Sequence, residues 1–188
     1  GECYRIKGSF LPQQGDEVYT LAKELGARKY SIDNPLTVGE TYLIPLEEEF
    51  HLPPSVYAFA NPKSSTGRND VHVRIVADGV SRFDALTPSG YSGKAWAIVN
   101  PNSYPVLMPP GLAVSQVRFF NRDTRLSELE MELAYTRENP FVCYANGDPV
   151  TYSKMVANDH DGSLILSIDL AHAIAGYAAK RTQEVFDF

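Results

Sequence analysis

Short runs of β-branched and aromatic residues, each bounded by Pro, Gly, Asn or Asp, dominate the first two-thirds of the chain. Runs of this length and composition are typical of β-strands separated by sharp turns. The predicted strands are TYLIPLEEEFHL (41–52), SVYAFAN (55–61), VHVRIVADG (71–79), GKAWAIVN (93–100), SYPVLMPPG (103–111) and LAVSQVRFF (112–120). With 13 Gly and 13 Pro spread along the chain, the pattern favours a barrel or sandwich over alternating strand–helix units.

Helical periodicity is confined to two segments. DEVYTLAKELGA (16–27) is amphipathic and is closed by Gly26, and TRLSELEMELAYTREN (124–139) is the second candidate. In the second segment Ser127 and Glu130 have the spacing of a capping box, which stabilises a helix N-terminus. The sequence therefore predicts an all-β fold with one or two peripheral helices.

Composition narrows the class of protein. The 188 residues are 44% hydrophobic and 21% charged, which is typical of a globular protein. No apolar run approaches the ~18 residues needed to cross a bilayer, and Cys3 and Cys143 are too few for a disulfide framework, so we expect a cytoplasmic protein with no membrane partner. The net charge of −6 argues against nucleic-acid binding. A small anionic ligand is still compatible with this charge if local cations or a metal ion offset the negative electrostatic field of the protein.

The segment PKSSTGR combines anion-binding side chains with a flexible backbone. Lys63, Ser64, Ser65 and Arg68 supply two cations and two hydroxyls, and Gly67 permits a tight path. The alternative is a polar turn between two strands. The segment matches neither GxxxxGK[ST] nor GxGxxG, so it is not one of the common nucleotide-binding loops.

Together with RFDALTPSGYSG and PPGLAVSQVRF, this segment resembles the dCTP deaminase and dUTPase superfamily, in particular the two-domain bacterial 2′-deoxycytidine 5′-triphosphate deaminases. The resemblance is strong over residues 60–120. It implies a β-clip fold, a distorted, jelly-roll-like barrel of the dUTPase kind. It also implies a homo-oligomer with trimer-like packing of β-clip units, in which dCTP or dUTP binds between subunits.

The resemblance also implies roles for individual residues. Phosphate and nucleotide contacts fall to Lys63, Ser64, Ser65, Arg68, Arg82, Tyr91 and Gln116, and the catalytic group comprises Ser64, Arg68 and Asp84. From the residues alone, simpler roles stay open for three of them: Tyr91 as a core aromatic, Asp84 as a turn residue, and Gln116 as a partner of neighbouring backbone.

The reaction implied is hydrolytic deamination of cytosine at C4 without zinc, by a glutamate that shuttles protons, with Mg²⁺ carried on the triphosphate. The HxE…PCxxC pattern of zinc deaminases is absent from the sequence. Four scattered histidines are interpreted as surface or packing residues rather than metal ligands; they are His51, His72, His160 and His172.

One departure from the family pattern concerns catalysis directly. An ungapped alignment of GYSGKAWAIVNPNSYPV places Ile98 where the family has its glutamate. An alkyl group cannot transfer a proton. Three interpretations follow: a deaminase whose glutamate comes from a second repeat, a nucleotide-binding or assembly domain without turnover, and a dUTPase-like pyrophosphatase in which Asp84 activates water.

The predicted organisation is a β-clip domain over 1–160 and, over 161–188, a linker with a candidate first strand of a second β-clip repeat. The basis is LSIDL…GYAAKR, which resembles the opening of the second half in long family members. The chain begins where the family's SLDLRLG segment would end, so we also expect the N-terminal edge of the domain to be truncated.

Overall fold

The computed structural model describes residues 2–86, 90–122, 126–137, 142–156 and 163–188. Its strands are β1 (Glu2–Ile6), β2 (Arg28–Ser31), β3 (Thr41–His51), β4 (Tyr57–Pro62), β5 (Val71–Ala77), β6 (Ser92–Pro101), β7 (Val106–Leu107), β8 (Ser115–Phe120) and β9 (Phe186–Asp187). Its helices are α1 (Val18–Glu24), α2 (Ser64–Arg68) and α3 (Glu128–Arg137), with a 3-10 turn at Tyr152–Lys154.

The chain divides into two compact units. The first comprises Gly1–Asp123 together with Ala179–Phe188, and the second comprises Thr124–Ala178. The first unit contains strands β1 to β9. The second contains α3 and the 3-10 turn, and Tyr135 is its buried aromatic, donating its hydroxyl to the Val142 and Val150 carbonyls.

A five-stranded antiparallel sheet in the order β2-β1-β3-β6-β5 forms the body of the first unit. In its centre Leu43 on β3 lies opposite Ile98 on β6, and Ile98 in turn lies opposite Arg74 on β5. The β3–β6 register shifts between Pro45 and Glu49, which marks a bulge in β3.

Strand β6 is buried on both faces of this sheet. Ala95, Ala97 and Val99 face one hydrophobic cluster, and Trp96 and Ile98 face another. A strand covered on both sides needs apolar residues at every position, which explains the continuous run AWAIV.

The first cluster packs the sheet against a second sheet made of β4 and β8, whose register pairs Ala60 with Val117. The second cluster is covered by α1, which contributes Val18 and Ala22. No local side chain caps α1; instead Asp78, at the end of β5, accepts the Val18 N–H at 2.7 Å. The cap therefore ties α1 to the large sheet.

Every predicted strand segment contains a strand, and both predicted helices are present as α1 and α3. Gly26 ends α1 with φ +82°, as expected for a glycine just past a helix. The capping box is also confirmed, because the Ser127 N–H and hydroxyl both reach a Glu130 carboxylate oxygen, at 2.8 and 2.7 Å. Strands β1, β2 and β9 were not predicted.

Candidate functional site

The PKSSTGR segment leaves β4 and forms α2, whose inner face is held by Thr66. Thr66 is 1% exposed, and its hydroxyl donates to the Val114 carbonyl at 3.2 Å. The backbone N–H of Lys63 donates to the same carbonyl at 3.1 Å. The polar residues that α2 turns outward are Ser64 and Arg68, which are exposed, and Lys63 and Ser65, which are half-buried.

The cations of this surface are Lys63 and Arg68. Within the described ranges, the side chains of Lys63 and Arg68 form no ion pair or hydrogen bond. The first turn of α2 contains no acidic residue, and Lys63 at its N-cap makes no side-chain capping bond. Two cations beside two hydroxyls form a surface suited to a phosphate group. We call Lys63, Ser64, Ser65 and Arg68 the α2 surface.

Gln116 lies on the strand next to the start of α2. It is exposed on β8, directly opposite Asn61 of β4, and Lys63 follows two residues later. The neighbouring Ser115 donates its hydroxyl to the Asn61 carbonyl at 2.8 Å, which fixes this end of β8. The structure therefore brings Gln116 beside the α2 surface.

Asp84 occupies a buried corner against β5 and is 2% exposed. One carboxylate oxygen accepts the Ile75 N–H at 2.8 Å, and the other pairs with the Arg74 guanidinium at 3.0 Å. Its backbone φ of +59° is left-handed. Burial raises the pKa of Asp84, opposed first by the hydrogen bond from Ile75 and then by the charge of Arg74.

The Asp84 corner also reaches β4, because the Ala60 N–H donates to the Asp84 carbonyl at 2.6 Å. Arg82, half-buried, lies two residues before it. The corner therefore lies along one edge of β4, while Gln116 lies along the other. Residues 87–89, within the RFDALTPSGYSG motif, are outside the described residues.

Tyr91 lies at the opposite end of β5. Its hydroxyl donates to the Lys94 carbonyl at 2.5 Å and accepts the Asp78 N–H at 3.1 Å, and the ring packs in the first hydrophobic cluster. Burial, and then the charge of Asp78, raise the pKa of Tyr91 to about 12. Since β5 runs from just after α2 to Ala77, roughly 20 Å separates Tyr91 from the α2 surface within one chain.

Ile98 is 0% exposed and lies beneath α1, in the cluster that contains Leu43, Val76 and Trp96. Trp96 is itself covered by Tyr19 of α1, with the two rings stacked 6.0 Å apart. The position at which the family resemblance places a glutamate is thus closed to solvent and apolar in this unit.

A cavity of about 520 Å³ opens between the two sheets. Most of its lining is apolar, as with Ile44, Leu86 and Val117, and its only charged residues among those described are Glu47 and Glu48. A polyphosphate would be repelled by both carboxylates, so the cavity differs chemically from the α2 surface, although Gln116 also lines it.

Three of the four histidines are among the described residues, and one of them, His72, is exposed on β5. His51 is exposed beside Glu49, and His172 is exposed beside Asp169. Among the residues that the structure describes, no three His, Cys, Asp or Glu side chains are grouped to hold a metal ion. His160 lies outside those residues. None of the described helices is long and apolar enough to cross a membrane.

Three contributors to this region were missed by the sequence analysis: Thr66, Asp70 and Arg74. Thr66 lies within the polar PKSSTGR segment, and nothing in the sequence distinguishes it from its more exposed neighbours as a buried residue. Arg74 alternates with Val73 and Ile75 and resembles an ordinary outward-facing strand residue, and only the fold brings it to Asp84. Asp70 follows α2 at φ +49°, where a glycine would have been the usual signal.

Comparison with known proteins relates this chain to one enzyme family. The family model described as the 2′-deoxycytidine 5′-triphosphate deaminase (DCD) N-terminal domain matches residues 1–123. A search of curated proteins finds no match.

Among solved structures, the chain is similar to the crystal structure of 2′-deoxycytidine 5′-triphosphate deaminase from Agrobacterium tumefaciens, with 34% sequence identity and a TM-score of 0.59. The match covers 73% of this chain but only 42% of that chain. The likeness confirms the all-β, dUTPase-like fold predicted from sequence. The chain therefore belongs to the dCTP deaminase family, and residues 1–123 correspond to its N-terminal domain.

Proposed function

We propose that this chain forms the triphosphate-binding part of an enzyme that hydrolyses dCTP to dUTP and ammonia. The observation that carries the proposal is the α2 surface, with Lys63 and Arg68 unpaired among the described residues beside two serine hydroxyls. A surface of this chemistry in a chain of the dCTP deaminase family supports binding of the nucleotide's phosphates.

In this proposal Ser64 and Ser65 contact phosphate oxygens, and Lys63 and Arg68 balance their charge. Mg²⁺ enters with the triphosphate as part of the substrate, since Mg²⁺ is commonly bound by substrate phosphates rather than by an all-protein cage. Asp84 is poorly placed to take up the metal because both of its oxygens are already engaged. The metal would also offset the net charge of −6.

Assembly of several copies completes the site in this proposal. The family resemblance implies that Tyr91 contacts the sugar and that Arg82 helps to recognise the nucleotide. In this proposal both come from one β-clip unit, and the α2 surface comes from another. The separation of roughly 20 Å between Tyr91 and α2 along β5 supports a site shared between units. Gln116, beside α2, would contact the nucleotide from the same unit as Arg68.

The chemical step needs a proton carrier that Ile98 does not supply. Water adds to C4 of cytosine, and a carboxylate takes a proton from the water and returns one to the departing amino group, which leaves as ammonia. We propose that this carboxylate is a glutamate of a second β-clip repeat, outside the first compact unit. The missing HxE…PCxxC pattern supports a zinc-independent reaction.

Nucleotide binding without turnover is the second candidate, and the burial of Ile98 favours it. A pyrophosphatase that uses Asp84 to activate water has less support. That carboxylate already accepts the Ile75 N–H and pairs with Arg74, and it is 2% exposed.

Product analysis of dCTP incubated with Mg²⁺ and the complete gene product separates these functions. The deaminase proposal predicts dUTP and ammonia in equal amounts. Recovery of unchanged dCTP from a protein that binds it would favour the second candidate. Release of pyrophosphate without ammonia would show the pyrophosphatase reaction and overturn the proposal.

Replacing Arg68 by glutamine is expected to weaken Mg·dCTP binding by about 10- to 150-fold, since a hydrogen bond to a charged group contributes about 1.5–3 kcal/mol. Stability should change by no more than about 0.5 kcal/mol, because the side chain is exposed. Isothermal titration calorimetry measures the first effect and urea unfolding the second.

The matched control is Arg28→Gln, because Arg28 is exposed on β2, at the far edge of the five-stranded sheet from β5. It should leave affinity unchanged. An equal loss in both variants would mean that net charge alone, and not the α2 surface, governs binding.

A further inference from the structure

The junction between α2 and β5 is held by a residue in an uncommon conformation. Asp70 adopts φ +49°, and its N–H donates to the Gly67 carbonyl at 3.0 Å. Its carboxylate accepts the hydroxyl of Ser103 and, at 3.5 Å, the side-chain amide of Asn102. The Asn102 N–H donates to the Asp70 carbonyl at 3.1 Å. These contacts fix the backbone just after Arg68.

Ser103 also connects this junction to the C-terminal segment of the same compact unit. Its carbonyl accepts the Thr182 N–H at 2.8 Å. Four residues later, β9 pairs in parallel with β7, and the Phe186 N–H donates to the Pro105 carbonyl at 2.8 Å. The Phe186 ring lies 5.4 Å from that of Tyr104. We call Ala179–Phe188 the tail.

The tail is held by few interactions compared with the five-stranded sheet of the same unit. Strand β9 is two residues long, Val185 is 51% exposed, and Phe186 is half-buried. A segment with a short ladder and a small buried area opens at low free-energy cost. Its docking can therefore respond to events at the α2 junction.

We infer that Asp70 and Ser103 are positioning residues for Arg68, and that docking of the tail and binding of a triphosphate at the α2 surface reinforce each other. The Arg68 side chain has no protein partner among the described residues, so its direction depends on the backbone that Asp70 and Ser103 hold. The inference rests on the proposed function, because it assigns the coupling to the same phosphate-binding surface. Coupling between two binding events is reciprocal.

Asp70 allows a test in which charge and positioning predict opposite results. Asp70→Ala removes a negative charge near the bound anion, so electrostatics alone predicts tighter binding of Mg·dCTP. The positioning role predicts binding that is roughly fivefold weaker or more, because the junction is released. Asp70→Asn tolerates the left-handed backbone and still accepts the Ser103 hydroxyl, so it should retain wild-type affinity or exceed it.

Two further variants test the same connection without altering charge. Ser103→Ala removes the hydroxyl that donates a hydrogen bond to the Asp70 carboxylate. Phe186→Ala removes the aromatic contacts that hold the tail in place. Each should weaken binding of Mg·dCTP and of inorganic triphosphate with Mg²⁺ by a similar factor. In the complete protein each should raise KM and leave kcat unchanged. Val185→Ala, in the exposed part of the tail, is the matched control and should change neither.

Hydrogen exchange measures the reciprocal effect. Saturating Mg·dCTP should slow exchange of the Thr182, Phe186 and Phe188 amides, whose acceptors lie on residues 103–107. The coupling alone would be overturned if wild-type protein bound Mg·dCTP without any change in hydrogen exchange of the tail. It would also be overturned if the Asp70→Ala, Ser103→Ala and Phe186→Ala variants all bound Mg·dCTP with wild-type affinity. Wild-type protein that binds neither probe would overturn the proposed function and the coupling with it.

Discussion

Replacing Ile98 by glutamate, the residue that the family resemblance places there, is expected to destabilise the first unit by more than about 4 kcal/mol at pH 7 and to produce no deaminase activity. The side chain at this position is 0% exposed and packs among Leu43, Val76 and Trp96 beneath α1. A carboxylate at this position would lose its hydration, and a substrate in solvent could not reach it. Urea unfolding followed by circular dichroism measures the loss.

The pH dependence of this variant provides an internal check. Burial raises the pKa of a carboxyl, so the folded variant holds a proton that the unfolded chain releases. Stability of Ile98→Glu relative to wild type should therefore recover as the pH falls from about 8 towards 4.5.

Two controls separate charge from shape at this position. Ile98→Gln should be destabilised without the pH dependence. Ile98→Val should lose only about 0.5–1.5 kcal/mol. If Ile98→Glu were as stable as wild type at pH 7, the position would be open to solvent and its assignment to the core would be wrong.

Asp84→Ala is expected to cost about 2–4 kcal/mol of stability. The substitution leaves the buried Ile75 N–H without its acceptor and Arg74 without its ion-pair partner. It also places alanine at φ +59°, which is unfavourable for a residue with a Cβ. Thermal and urea unfolding at neutral pH measure the sum of these effects.

Comparison of Asp84→Ala with Asp84→Gly and Asp84→Asn separates the loss of stability due to the backbone conformation from the loss due to the missing hydrogen-bond acceptor. Glycine removes the backbone penalty but still lacks an acceptor, so it should be intermediate. Asparagine accepts the Ile75 N–H and tolerates the left-handed conformation, so it should lose least. An alanine variant as stable as the asparagine variant would contradict the structural role assigned to the Asp84 carboxylate.

Each strand that the sequence predicted has apolar residues that face a cluster, although unpredicted β1 also contributes Tyr4 and Ile6 to the second cluster. Strand β6 was identified because AWAIV is apolar throughout, and the structure explains this by burial on both faces. Strand β2 pairs with β1 at the edge of the described sheet. Its polar sequence RKYS has no alternation of apolar and polar residues that could predict a strand. Strand β9 is two residues long and depends on its pairing with β7.

The candidate site was predictable where residue type and spacing carry the information. PKSSTGR indicated an anion-binding surface, and the structure exposes Ser64 and Arg68 on one short helix. The contacts that hold this surface join residues far apart in sequence, as when Thr66 meets Val114, or Ser103 meets Asp70. Single-sequence patterns do not encode such pairings, so the supporting residues became visible only in the fold.

We propose that this chain binds the triphosphate of dCTP through α2 but lacks the group that moves protons. Titration of the 188-residue chain with Mg·dCTP, with ammonia assayed in the same samples, tests it most directly. We expect saturable binding and no ammonia above the level of the enzyme-free control. Ammonia release by this chain would contradict the assignment of Ile98, and failure to bind Mg·dCTP would contradict the role of the α2 surface.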